Sequence, residues 1–177
     1  AVDKTAYPTM DQFFTDVAKV YNEEFKELAS LGLKYLQIDD TNLAYLCDSQ
    51  IRGELADVGE NPDQLLDTYI KLINDSVVGL PDDMTVCLHM CRGNFGKLAS
   101  GSYDHIADRL FNGLNVDGYL LEYDDERSGG FEPLRKVPER FEFRAELVVD
   151  RTAGQRFGAH ARHGTPKHDH PRRDDAR

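Results

Sequence analysis

The segment TVCLHMCRGNF, residues 85–95, puts an imidazole and a thiol two residues apart in a run that otherwise reads as a buried strand. Side chains alternate faces along a strand, so His89 and Cys91 point the same way, their backbones about 6.6 Å apart at about 3.3 Å per residue. Zinc accepts imidazole nitrogen and thiolate sulfur at roughly 2.0–2.3 Å, so both side chains can reach one ion. Cys87 shares that face but lies about 13 Å from Cys91 by the same rise, and is read as a packed core thiol. Glu122 ends the apolar part of DGYLLEYDD, residues 117–125. If that run is a parallel neighbour of 85–91, its carboxylate joins His89 and Cys91 as a third zinc ligand, leaving one position open. Asp39, near the end of KYLQIDD (34–40), faces the same crevice. Each residue has a plainer alternative. His89 and Cys91 can be buried without a metal, Glu122 can be a solvated strand end, and Asp39 can cap the following turn. Arg92 and Asn94 either shape a turn or touch a ligand.

The elements that would position these residues alternate. Met10, Phe13, Phe14, Val17, Val20, Tyr21, Phe25 and Leu28 recur at helical spacing, with Thr9 and Gln12 as a capping pair and Gly32 as the stop. The strand over 34–40 follows. Asn61-Pro62 then opens a second helix through Leu65, Leu66, Tyr69, Ile70, Ile73 and Val77 to Gly79. The strand over 85–91 leads to a third helix, roughly 103–112, and to the third strand over 117–125. The segment DERSGGFEPLR reads as a loop that bends at Ser128-Gly129-Gly130 into another helix. Strand, helix, strand, helix, strand, with polar residues at the strands' carboxyl ends, predicts parallel α/β architecture and a partial TIM (β/α)8 barrel. A whole barrel takes about 250 residues, and this chain has 177.

Composition bounds the partners. Asp and Glu number 32 against 21 Lys and Arg, which disfavours nucleic acid and anionic membranes. No run of about 18 apolar residues exists to span a membrane. Three cysteines at irregular spacing favour free or metal-bound thiols in a reducing, cytoplasmic setting. The start, AVDKTAYPTM, has no signal pattern and no initiator Met, so the chain is expected to be processed or cut from something longer. Residues 1–137 are acidic and form the expected domain. Residues 138–177 hold nine Lys and Arg, seven Asp and Glu and four of the six histidines; apart from a possible strand over 141–149, they read as a disordered basic tail.

Together, YLQIDD, LHMCRGNF and YLLEYDDERSGGFEPLR resemble the catalytic half of cobalamin-independent methionine synthases, above all the short single-domain members. The resemblance covers roughly residues 5–136. It implies a (β/α)8 barrel and a zinc-dependent homocysteine S-methyltransferase with a polyglutamylated methyltetrahydrofolate as donor. It also implies that His89, Cys91 and Glu122 are zinc ligands and that Asp39 binds the substrate amino group. Two departures stand out: the family's late second cysteine has no counterpart after Cys91, and the pattern stops near Leu134-Arg135. A partial copy is therefore expected, with weakened zinc binding and slow or absent methyl transfer. The other readings are a non-catalytic barrel fragment or binding module, and a uroporphyrinogen decarboxylase-like barrel, which needs no such ligand set.

Overall fold

The structure is a computed structural model that describes residues 2–93, 99–123 and 126–138. Helix α1 (Met10–Ser30) begins where the Thr9 side chain accepts from the Gln12 N–H, and ends at Gly32, whose φ of +97° suits glycine. Strand β1 (Tyr35–Asp40) follows, then a short α2 (Asn42–Tyr45) and α3 (Ser49–Asp57). Helix α4 (Pro62–Ser76) starts at the expected Asn61-Pro62, with the Asn61 side chain accepting from the Asp63 and Gln64 N–H groups. Strand β2 (Thr85–Met90), helix α5 (Ala107–Gly113) and strand β3 (Gly118–Leu121) complete the repeat.

The three strands form one parallel sheet with β2 in the centre. Alternation along β2 separates its two faces. Val86, Leu88 and Met90 are fully buried and join Leu66, Ile70 and Ile73 of α4 and Leu110 and Phe111 of α5 in the core. Cys87 and His89 point the other way and are half-buried. In register with them on the same face lie Gln37 and Asp39 of β1 and Gly118 and Leu120 of β3. The helices therefore bury one face of the sheet, and the other carries Gln37, Asp39, Cys87 and His89 beside Gly118 and Leu120.

Differences from the sequence reading have local causes. The α1 stripe is only partly used: Ala18 and Phe25 are buried, while Met10, Val20 and Tyr21 are exposed, because α4 is the element that α1 mainly packs against. Where the two helices meet, Asn22 Nδ2 donates to the carbonyls of Ser76 and Val78 and closes the end of α4. Helices α2 and α3 have no counterpart in the sequence reading. No residue of α3 is fully buried, its apolar face is limited to the half-buried Ile51 and Leu55, and its start is set by Asp48, which accepts from Gln50 and Ile51. The expected third helix is a 3₁₀ turn over Tyr103–His105 followed by α5. The segment after β3 forms 3₁₀ turns at Glu126–Ser128 and Glu132–Lys136 with a bend at Gly129, in place of the expected α-helix entry. The strand expected over 141–149 and the tail expected over 138–177 lie outside the described residues, Pro138 apart.

No helix among the described residues is long and apolar enough to cross a membrane. The three described strands leave the sheet open at both β1 and β3.

Candidate functional site

Three of the four predicted site residues meet at the carboxyl ends of the strands. Asp39 and His89 are paired in register across β1 and β2, and Glu122 follows β3 directly. His89 Nδ1 lies 3.2 Å from Asp39 Oδ1, and His89 Nε2 lies 3.5 Å from Glu122 Oε1. The imidazole is thus held between two carboxylates. Asp39 remains exposed (69 % of its side chain), whereas His89 and Glu122 are mostly covered (22 % and 20 %). Asp39 Oδ1 also accepts from Gln37 Nε2 at 2.8 Å.

The turn after β1 is capped by Asp40 rather than Asp39: Asp40 Oδ1 accepts from the Leu43 N–H at 2.7 Å. Burial raises the Asp40 carboxyl above its ordinary pKa, against the lowering effect of the Leu43 and Asn42 N–H bonds. Asp39 is therefore free to face the crevice.

Cys91 continues the ladder beyond β2, its N–H donating to the Asp40 carbonyl at 2.9 Å, and its Sγ accepts from the Gly93 N–H at 3.4 Å. The other two thiols are set apart by packing. Cys47 is buried, and burial pushes its pKa up to about 11. Burial also raises Cys87, whose Sγ sits so close to Gly118 that a Cβ there would lie 3.0 Å away.

Two ligands of one tetrahedral zinc, each at about 2.1 Å, stand about 3.4 Å apart. The 3.5 Å between His89 Nε2 and Glu122 Oε1 fits that edge. In the tautomer whose Nδ1–H donates to Asp39, the Nε2 lone pair faces the same point, the usual orienting arrangement for a metal-bound histidine. Imidazole and carboxylate thus fit zinc in chemistry and spacing. Cys91 does not complete a cage with them: among the described residues, no group of three or more His, Cys, Asp and Glu side chains is arranged to hold a metal.

Arg92, expected either to shape a turn or to touch a ligand, is fully buried. Its Nε donates to Tyr103 Oη at 3.2 Å, its Nη1 donates to the Gly101 carbonyl at 2.8 Å, and its guanidinium lies 4.2 Å from the centre of the Tyr103 ring. An arginine directly after a polar strand end, in a chain rich in acids, carries no sequence signal that separates this position from an exposed loop. Asn94 lies outside the described residues.

A parallel sheet covered by helices on one face, with titratable side chains gathered at its carboxyl ends, defines a mixed α/β arrangement whose strand ends are where such folds carry their sites. Comparison with known proteins narrows the class. The chain is 41% identical over 140 residues to the Bacillus subtilis protein YxjH, covering 78% of this chain and 37% of YxjH. It is 25% identical over 134 residues to a methionine synthase of Pyrococcus horikoshii, covering 76% of this chain and 32% of the relative. A solved structure from Listeria monocytogenes, provisionally described as a vitamin-B12 independent methionine synthase, superposes with a TM-score of 0.52 at 36% identity, over 68% of this chain and 33% of that one. No family model matches. The relatives that carry a functional name are thus methionine synthases, and the partial fold is like theirs. The chain spans about a third of the length of the relatives it matches.

Proposed function

We propose that the chain is the part of a methionine-synthase-like (β/α)8 barrel that binds a thiol substrate at zinc, with residues 1–137 as the barrel portion and 138–177 as a separate tail. The observation that carries this reading is the pair His89 Nε2 and Glu122 Oε1 at the spacing of a tetrahedral zinc edge, in a chain similar in sequence and partial fold to methionine synthases. His89 and Glu122 would hold the ion, and Cys91 would become the third ligand only by turning its thiol away from the Gly93 N–H toward them. Bound zinc supplies an acidified thiol at neutral pH, with no redox chemistry to divert it.

The remaining work falls to the chain. Asp39 orients the His89 ring through Nδ1 and, being exposed, can also accept the ammonium group of an amino-acid thiol. Homocysteine or a related thiol is the proposed acceptor substrate, and a methylfolate the proposed donor. Activity in a relative three times as long belongs to that whole protein, so turnover by this chain alone is a separate question from metal binding.

The test is zinc content per chain after purification from zinc-containing medium, in wild type and in His89→Ala, followed by methyl transfer to homocysteine. The proposal expects bound zinc in wild type and a marked loss in His89→Ala. Wild-type protein that binds no zinc would refute the metal centre. Bound zinc without methyl transfer would leave a binding module.

A further inference from the structure

We propose that Tyr103 and Arg92 are positioning residues that together clamp Glu122 against His89. Two independent connections reach Glu122. The Arg92 N–H donates to its Oε2 at 3.1 Å, and Tyr103 Oη donates to its main-chain carbonyl at 3.2 Å. The same Tyr103 oxygen accepts from Arg92 Nε, so one hydroxyl joins the segment after β2 to the residue after β3. With Oε2 held, the other carboxylate oxygen, Oε1, is the one that faces His89 Nε2.

The clamp is anchored from behind. Arg92 Nη1 donates to the Gly101 carbonyl, and Gly101 sits at φ +104°, where a Cβ would lie 2.3 Å from the Cys47 carbonyl oxygen. Next to it, the Ser100 N–H and Oγ both donate to Asp48 Oδ2, at 2.9 and 2.8 Å, which ties this segment to the N-terminus of α3. Among the described residues, Arg92 has no carboxylate within ion-pair distance, and its Nη2 lacks a hydrogen-bond partner. A buried guanidinium without a counter-ion is costly, and a cheaper residue would serve if only packing were needed. The Tyr103 ring face and hydroxyl hold it in place together with the Gly101 carbonyl and the neighbouring Cys47 thiol.

Burial of both side chains protects the geometry from solvent. Tyr103 is fully buried and packs at 5.1 Å from the Tyr123 ring, and Arg92 is also without exposed surface. The zinc arm of the test rests on the function proposed above; the amide arm does not.

In the full chain, Tyr103→Phe keeps the ring and its contact with Arg92 and removes only the hydroxyl. Arg92→Lys keeps the positive charge and removes the fork. Ile70→Val, in the core on α4, serves as the packing control. In metal-free protein, hydrogen exchange of the Arg92 amide is read relative to that of Leu88 in β2. This ratio is expected to rise about tenfold or more in Tyr103→Phe and Arg92→Lys and to stay level in Ile70→Val, which loosens both amides together. With zinc as the probe, Tyr103→Phe is expected to weaken binding about 10- to 100-fold, as loss of an outer support does for a metal ligand. An unchanged exchange ratio overturns the clamp whatever zinc does. A raised ratio with unaltered zinc affinity overturns its role at the ligand. If wild type binds no zinc, the proposed function fails, and the exchange ratio alone decides the clamp.

Discussion

Replacing Cys91 by serine separates the metal site from the fold. Cys91 is half-buried, and among the described residues its thiol accepts a 3.4 Å contact from the Gly93 N–H, which a serine hydroxyl can also accept. The fold should therefore lose no more than about 0.5–1 kcal/mol, the range for substitutions away from core contacts. Zinc should lose far more. A hydroxyl does not ionise at neutral pH, so the ion would keep only the His89 and Glu122 ligands, 3.5 Å apart. A 100-fold weaker affinity corresponds to about 2.7 kcal/mol, and zinc at 100 times its Kd stabilises the wild-type fold by the same amount. For a chain of this size each kcal/mol moves Tm by about 2–4 °C, so the zinc-dependent rise in Tm of roughly 5–11 °C should nearly vanish in Cys91→Ser. The assay is thermal unfolding with and without zinc, alongside competition against a chromophoric chelator. An unchanged zinc-dependent rise in Cys91→Ser would show that Cys91 is not a ligand. A large drop in the metal-free Tm would show that the thiol is structural instead.

Other outcomes follow from single contacts. Gly101→Ala should cost at least about 2 kcal/mol in urea unfolding, because the new Cβ meets the Cys47 carbonyl at 2.3 Å at a φ of +104°; a neutral result would mean that the segment shifts freely. The Cys47 thiol has its folded pKa raised to about 11 from 9.0, so the unfolded chain releases that proton first as pH rises. Its contribution is intact below pH 9 and falls by about 2–3 kcal/mol between pH 9 and 11, and Cys47→Ala should flatten that part of the stability profile. An equal slope in wild type and Cys47→Ala would contradict the burial argument. Zinc affinity in the wild-type chain should also fall short of that of a homologue with a second cysteine ligand, measured by the same competition, since no cysteine follows Cys91.

The fold was legible where local chemistry and burial agree. Asn61-Pro62 starts α4, Gly32 ends α1, and the alternation in TVCLHM puts Val86, Leu88 and Met90 inward and His89 outward. It was not legible where an element forms without burying a face. Helix α3 is started by one aspartate cap and tied down by Arg52, which bonds Asp63 and the Leu46 carbonyl from elsewhere in the chain, and the cap alone is too short a signal to separate from a turn. The apolar stripe of α1 overstated its burial, because periodicity records how much surface is apolar and says nothing of how much neighbour is there to cover it.

At the site, the strand ends gave His89 and Glu122 their places, since register and alternation fix which residues of parallel neighbours meet. Asp39 followed by the same rule, and its neighbour Asp40 took the capping role instead. What alternation cannot reach is the segment that leaves the strand. Cys91 stands one residue past β2, where the periodic direction of side chains lapses, so its thiol need not follow that of His89. Arg92 is a stronger case. Its burial depends on Gly101 and Tyr103, about ten residues on, folding back over it, and on a hydroxyl that also grips Glu122. A cation whose partners are a carbonyl, a ring face, a phenol and a buried thiol leaves no charge pattern in the sequence. The residues that hold a site in shape can thus be harder to read than those that form it, because their partners are set by the closing of the fold rather than by spacing along the chain.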